Sequence, residues 1–309
     1  MSLRAPRWRW AVAATAALLG VASCGSDGAT SSTDAPSAVP STTVPSSPAP
    51  TKIISLSPTG TEMLFAIGAG SQVIAVDDQS NYPPDALKVK TDLSGFTPNV
   101  EAIAARKPDL VIVQPDSAGQ LESQLKALGI DVFARPPAET FKDIYAQIEQ
   151  LGAMTGHVAD AAKLVADMQS DIAKAVAAAP KLDKPLTYFH EVDNTLYSVG
   201  TKSFIGEAYG LFGLKNIVDA DAPAAGFPQL TNEAVIAADP DLIFLSDADY
   251  GESPATVAAR PGWAGIAAVK HGNVIPVSAD LSSRWGPRIV DYVEAVSAAL
   301  VKAQQTAKA

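Results

Sequence analysis

From Lys52 onward, short apolar runs alternate with amphipathic stretches. Ile53-Ile54-Ser55-Leu56 is a β-rich run closed by the turn residues Ser57-Pro58-Thr59-Gly60. Thr61 is placed to cap a helix that runs through Gly68, with Gly70 just beyond its end. Val73 to Val76 reads as a second strand, Val111 to Val113 as a third and Val132-Phe133 as a fourth. A helical stretch from Gln120 to Leu128, closed by Gly129, separates the last two. Alternating strands and helices predict an α/β fold with parallel sheets.

The same pattern returns 132 residues later. Glu101-Ala-Ile-Ala-Ala-Arg-Lys-Pro-Asp-Leu-Val111 overlays Glu233-Ala-Val-Ile-Ala-Ala-Asp-Pro-Asp-Leu-Ile243, with six of eleven positions identical. Each copy reads as a short helix, a Pro-Asp turn and a buried strand. Either a common αβ turn is used twice, or the chain holds two lobes of similar build. Between the copies, Ala161, Leu164, Val165, Met168, Ile172 and Val176 trace one helical stripe, predicting a helix from His157 to Ala179. Such a helix would join two lobes as a stiff strut, and its stripe equally suits packing against one lobe.

The first fifty residues differ. Arg4, Arg7 and Arg9 precede an uncharged run from Ala11 to Ala22, and Val21-Ala22-Ser23-Cys24 follows. These are the parts of a secretory signal, and the run is too short to span a bilayer, which takes about 20 residues. Residues 24–50 contain seven Ser, four Thr and five Pro without an aromatic residue, Lys or Arg, and read as a flexible tether.

Charge and cysteine count narrow the function classes. The net charge is −10 from 23 basic and 33 acidic residues. Removing residues 1–23 takes away three Arg and no acids, so 20 − 33 leaves −13. That balance argues against a non-specific grip on nucleic acid. One Cys in 309 residues excludes an internal disulfide and any multi-thiolate zinc site. No Gly-x-Ser-x-Gly elbow supports an exported hydrolase, no His-x-x-x-His pair supports a metalloprotease, and Gly68-Ala-Gly70 closes a helix instead of opening a dinucleotide site. Three scattered His are too few for a zinc or manganese receptor.

Four landmarks then occur in order: Ile54-Ser-Leu-Ser-Pro-Thr-Gly-Thr-Glu62, Tyr82-Pro-Pro84 after Asp77-Asp78, Asn99-Val-Glu101 through Lys107-Pro-Asp-Leu110, and Ser283-Arg-Trp-Gly-Pro-Arg288. Over residues 52–302 the chain resembles the substrate-binding proteins of ABC importers for cobalamin and ferric siderophores. The resemblance implies two Rossmann-like α/β lobes with parallel sheets bridged by one long rigid helix: residues 52–155, a bridge over 156–180, and residues 181–309. Cys24 resembles a lipobox cysteine, implying cleavage after residue 23, diacylation, a tether over 24–51 and anchoring on the outer face of the cytoplasmic membrane. Two acyl chains anchor stably, at about 0.8 kcal/mol per buried CH₂. The implied protein is a monomer that does no chemistry, has no intrinsic cofactor or metal, and delivers a corrinoid or ferric siderophore to a membrane permease with its ATPase. Haem is a third cargo.

Candidate cleft residues lie on strand-to-helix loops, where α/β proteins bind ligands. In the first lobe they are Ser57, Thr59, Asp78, Tyr82, Phe96 and Asp116; in the second, His190, Glu191, Tyr197, Phe227, Asp247, Tyr250, Arg284 and Trp285. Aromatic faces suit a corrin or catecholate plane. His190 is either a metal ligand or a hydrogen-bonding histidine at a strand end, with Tyr197 as a second haem ligand. Arg284 offers an anion site and Arg288 reads as pairing within its lobe. Glu101 and Glu233 each open a helix, where a carboxylate is favourable by about 0.3–1 kcal/mol. The resemblance gives the same two residues to permease docking, one per lobe.

Overall fold

The computed structural model describes residues 48–220 and 226–308. The lipobox and most of the tether lie outside them. The first lobe contains β1 (Ile53–Ser55), α1 (Pro58–Ala66), β2 (Val73–Val76), α2 (Val100–Ala104), β3 (Leu110–Val113), α3 (Gln120–Ala127), β4 (Asp131–Ala134) and α4 (Phe141–Thr155). Then come α5 (Val158–Ala178), β5 (Thr187–Glu191), α6 (Phe204–Gly210), β6 (Lys215–Asn216), α7 (Asn232–Ala238), β7 (Leu242–Leu245), α8 (Pro254–Ala258), α9 (Ala267–Lys270), β8 (Val274–Pro276), α10 (Ala279–Ser283) and α11 (Ile289–Lys308). All strand pairs are parallel, in the orders β2-β1-β3-β4 and β6-β5-β7-β8.

The two sheets therefore share one topology, and the sequence repeat maps onto it. α2 to β3 and α7 to β7 occupy equivalent places, with β3 against β1 and β7 against β5. The repeated Asp does the same work in both copies. Asp109 Oδ2 accepts from the Thr51 and Lys52 backbone amides, and Asp241 Oδ2 accepts from the Thr187 amide and hydroxyl. Each carboxylate pins the start of the neighbouring strand.

The first helix starts earlier than the sequence suggests. Ser57 is its cap, its hydroxyl accepting from the Gly60 amide, and Pro58 begins the helix. Proline suits that place because its φ is already helical and its missing N–H would have no partner there. The Thr61 hydroxyl instead bonds Ser55 and Ser80 in the core. The long helix α5 is 21 residues, about 32 Å at 1.5 Å per residue, with His157 at its N-cap.

Alternation along the strands sorts the interior. Ile54, Val111 and Val113 face α2 and α3, whereas Ile53, Leu110 and Ile112 face α1 and α4. In the second sheet, Phe189, Ile243 and Leu245 face Val235 and Trp263, whereas Tyr188, Leu242 and Phe244 face inward. That inward layer is continuous across both lobes, through Ala161, Val165, Met168 and Ile172 of α5 and Tyr292, Val293 and Val296 of α11. A shared core of this kind, close-packed and poorly compressible, opposes free rotation of one lobe against the other. No helix among the described residues is long and apolar enough to cross a membrane.

Candidate functional site

Two cavities lie side by side between the lobes. The smaller, about 310 Å³, is walled by Thr59, Asp77, Phe96, Tyr250, Asp280 and Arg284. The larger, about 500 Å³, is walled by residues that include Pro136, His190, Phe204, Ile205, Phe227 and Ser246. Gln114, Ser283 and Trp285 belong to both. The two volumes suit a ligand larger than either cavity alone.

The fold explains the convergence. Gln114 follows β3 and Ser246 follows β7, so the two cleft residues occupy equivalent positions, one at the end of each repeat. Both were missed in the sequence, although extending the repeat three residues past Ile243 reaches Ser246. Gly95 lets its loop press against the end of β1, since a Cβ there would lie 2.5 Å from the Leu56 carbonyl oxygen. The next residue, Phe96, projects into the cleft at 83% exposure, as does Tyr250 from the other lobe. Trp285 is 9% exposed, its indole N–H donating to Gln147 Oε1 at 3.2 Å.

Thr59, Phe96, His190, Phe227, Tyr250, Arg284 and Trp285 thus line the cavities as the sequence suggested. Ser57, Asp78, Tyr82, Asp116, Glu191 and Tyr197 line neither, and most have another task. Ser57 caps α1 and Asp116 Oδ2 caps α3 through the Gln120 and Leu121 amides. Tyr82 lies beneath Arg288, whose guanidinium carbon is 4.3 Å from the ring centre. Tyr197 pairs with Gln229 in an antiparallel bridge, and Asp78 is exposed. Glu191 points to the opposite face of β5 from His190 and takes two bonds from Arg260, at 2.6 and 2.7 Å. Burial, then the nearby Asp247 and Glu252 charges, push Glu191 up to about 7 despite Arg260. Burial also raises Asp247, 4% exposed beside it.

Arg284 is engaged by the protein at both terminal nitrogens. It donates to Glu62 Oε1 (2.8 Å), Asn81 Oδ1 (2.7 Å) and the Gln79 carbonyl (3.4 Å), and pairs with Asp280 (2.7 Å). Arg288 pairs with Asp280 of its own lobe at 4.0 Å, but its hydrogen bonds go to Glu62 of α1, in the other. Burial keeps His190 neutral, its pKa lowered to about 3. Among the described residues, no group of three or more His, Cys, Asp or Glu side chains is arranged to hold a metal ion. Glu101 and Glu233 are exposed at the second position of α2 and α7, equivalent places in the two lobes.

Residues 53–281 match the periplasmic binding protein family. An uncharacterized ABC transporter substrate-binding lipoprotein of Bacillus subtilis is 35% identical over 252 residues, 79% of this chain and 78% of that protein. The crystal structure of a possible iron-binding (periplasmic solute-binding) protein from Staphylococcus epidermidis superposes with a TM-score of 0.71 at 27% identity, covering 81% of this chain and 98% of that one. The periplasmic vitamin B12 binding protein of Vibrio cholerae superposes with a TM-score of 0.65 at 28% identity, covering 83% and 98%.

Proposed function

The chain belongs to the periplasmic binding protein family, and we propose that it is the lipid-anchored receptor of an ABC importer, capturing a corrinoid or ferric siderophore between its lobes. In this reading residues 1–23 are a signal peptide, Cys24 carries the lipid, and residues 24–51 tether the receptor outside the cytoplasmic membrane. It acts as a monomer, performs no catalysis, and hands its cargo to a permease driven by an ATPase. Glu101 and Glu233 are the docking carboxylates, rim charges of the kind that set encounter rate and register.

The observation that carries the reading is the paired cavity, rimmed by Phe96, Tyr250 and Phe227 and joined at Gln114, Ser283 and Trp285. Its charge favours a corrinoid over an anionic catecholate. Arg284 is committed to protein acceptors, Asp280 among them, which leaves Lys202 as the uncommitted cation among the described lining residues, and Asp77 and Glu139 add negative charge. A corrinoid offers amides to Gln114 and Ser283 and a flat face to the aromatics. Haem is the second reading, favoured by the position of His190. Calorimetric titration of residues 24–309 with cyanocobalamin, haemin and a ferric hydroxamate separates the cargoes. Saturable binding of cyanocobalamin supports the corrinoid; preference for another chelate reassigns the cargo within the same function.

A further inference from the structure

His190 is 1% exposed and lines the larger cavity. Its Nδ1 is turned into the core, 2.8 Å from the Tyr209 hydroxyl and 3.2 Å from that of Tyr292, and the two hydroxyls are 2.5 Å apart. Its Nε2, on the opposite edge of the ring, is buried without a hydrogen-bond partner. Neither hydroxyl has a further hydrogen-bond partner among the described residues.

The proton count in this cluster selects a tautomer. Burial raises the pKa of both tyrosines, so both hydroxyls keep their hydrogens. One hydrogen fills the contact between the two oxygens. The other needs an acceptor, and among the described residues Nδ1 is the atom within hydrogen-bond distance of both oxygens that can offer a lone pair. If Nδ1 carried the proton, a tyrosine hydrogen and the Nε2 lone pair would both be left unsatisfied, and each buried group left so is costly. With Nδ1 accepting, the neutral ring carries its proton on Nε2, and that N–H alone remains to be satisfied.

We propose that His190 is a preset hydrogen-bond donor to the cargo: Tyr209 and Tyr292 hold its proton on Nε2, at the cavity side, where it meets an acceptor oxygen of the ligand and cannot ligate a metal. This rests on the cargo-binding reading above and narrows it, because an amide, hydroxamate or propionate oxygen can accept from Nε2–H whereas iron ligation by His190 needs a bare Nε2. The arrangement matches a general device at binding sites, where a buried donor left unpaired discriminates against ligands lacking its acceptor.

Nitrogen-15 spectra of the histidine-labelled chain without cargo test the tautomer directly. His190 is expected as the Nε2–H form, unchanged from about pH 5 to 8; an Nδ1–H form overturns the proposal. Haemin absorption is expected to be the same with the wild-type chain and with His190→Leu, and a Soret shift that requires His190 overturns it. For cyanocobalamin, His190→Leu is expected to weaken binding about tenfold, with His190→Gln, which keeps an acceptor and a donor at similar positions, recovering most of the loss. Equal affinity in all three chains overturns the donor role. If the wild-type chain takes up no cyanocobalamin, the corrinoid reading fails, while the spectra still decide the tautomer.

Discussion

Glu62 and Arg288 are 226 residues apart in sequence and form a two-point ion pair between the lobes, with Nε to Oε2 at 2.9 Å and Nη2 to Oε1 at 2.5 Å. Glu62 is 2% exposed and also receives Arg284, so one carboxylate holds two guanidinium groups at the base of the cleft. Glu62→Ala strands both cations with Asp280 as their remaining carboxylate. A loss of about 3 kcal/mol in unfolding free energy is expected by urea denaturation. A change below about 0.5 kcal/mol, the range of ordinary surface substitutions, would show that the pair holds nothing together.

The two neighbours on β5 have opposing pH signatures. Glu191, raised from 4.5 to about 7, binds more protons folded than unfolded, so its contribution falls as pH rises through that window. His190, lowered from 6.5 to about 3, binds fewer, so its contribution rises between about pH 3 and 6.5. Between about 4.5 and 6.5 the two slopes oppose each other. His190→Gln should therefore uncover a decline with rising pH, and Glu191→Gln a rise. Parallel stability curves for wild type and both variants, followed by thermal melts across pH, would refute these assignments.

The exposed aromatics separate affinity from folding. Phe96→Ala and Tyr250→Ala remove rings that are each 83% exposed, so the melting temperature should hardly move. Cargo affinity should drop about tenfold for each, from a lost ring contact of about 1–1.5 kcal/mol. Unchanged affinity in both would remove the rim from the site.

Docking is tested by charge reversal. Glu101→Arg and Glu233→Arg should together abolish uptake of radiolabelled cobalamin in cells that depend on this receptor, with in vitro affinity unchanged. Loss of affinity instead would place these carboxylates in the ligand site. Each reversal also opposes a helix N-terminus, at a cost of about 0.3–1 kcal/mol that leaves the fold intact.

Much of this was legible in the sequence, and the exceptions have physical causes. The 132-residue repeat left open a common turn used twice or two lobes of similar build; the shared strand order decides for similar lobes, and in each the turn's carboxylate pins a neighbouring strand. Loop position brought His190 and Glu191 forward together, but strand residues alternate in facing, so adjacent residues reach opposite layers. Asp116 and Ser57 lie in the right loops and are consumed by helix caps, a competition that composition does not reveal. The Glu62 cluster left no local trace, since its partners are 222 and 226 residues away.

Trp285 offers the most direct test of the cleft as the cargo site. Residues 24–309 contain two tryptophans, Trp263 buried in the second lobe and Trp285 where both cavities meet. Titration with cyanocobalamin, corrected for its own absorption, should quench fluorescence at one equivalent with a Kd of about 1 μM or below. The quench should be largely lost in Trp285→Phe. No binding of cyanocobalamin, haemin or ferric hydroxamate, or an equal quench in Trp285→Phe, would contradict the account.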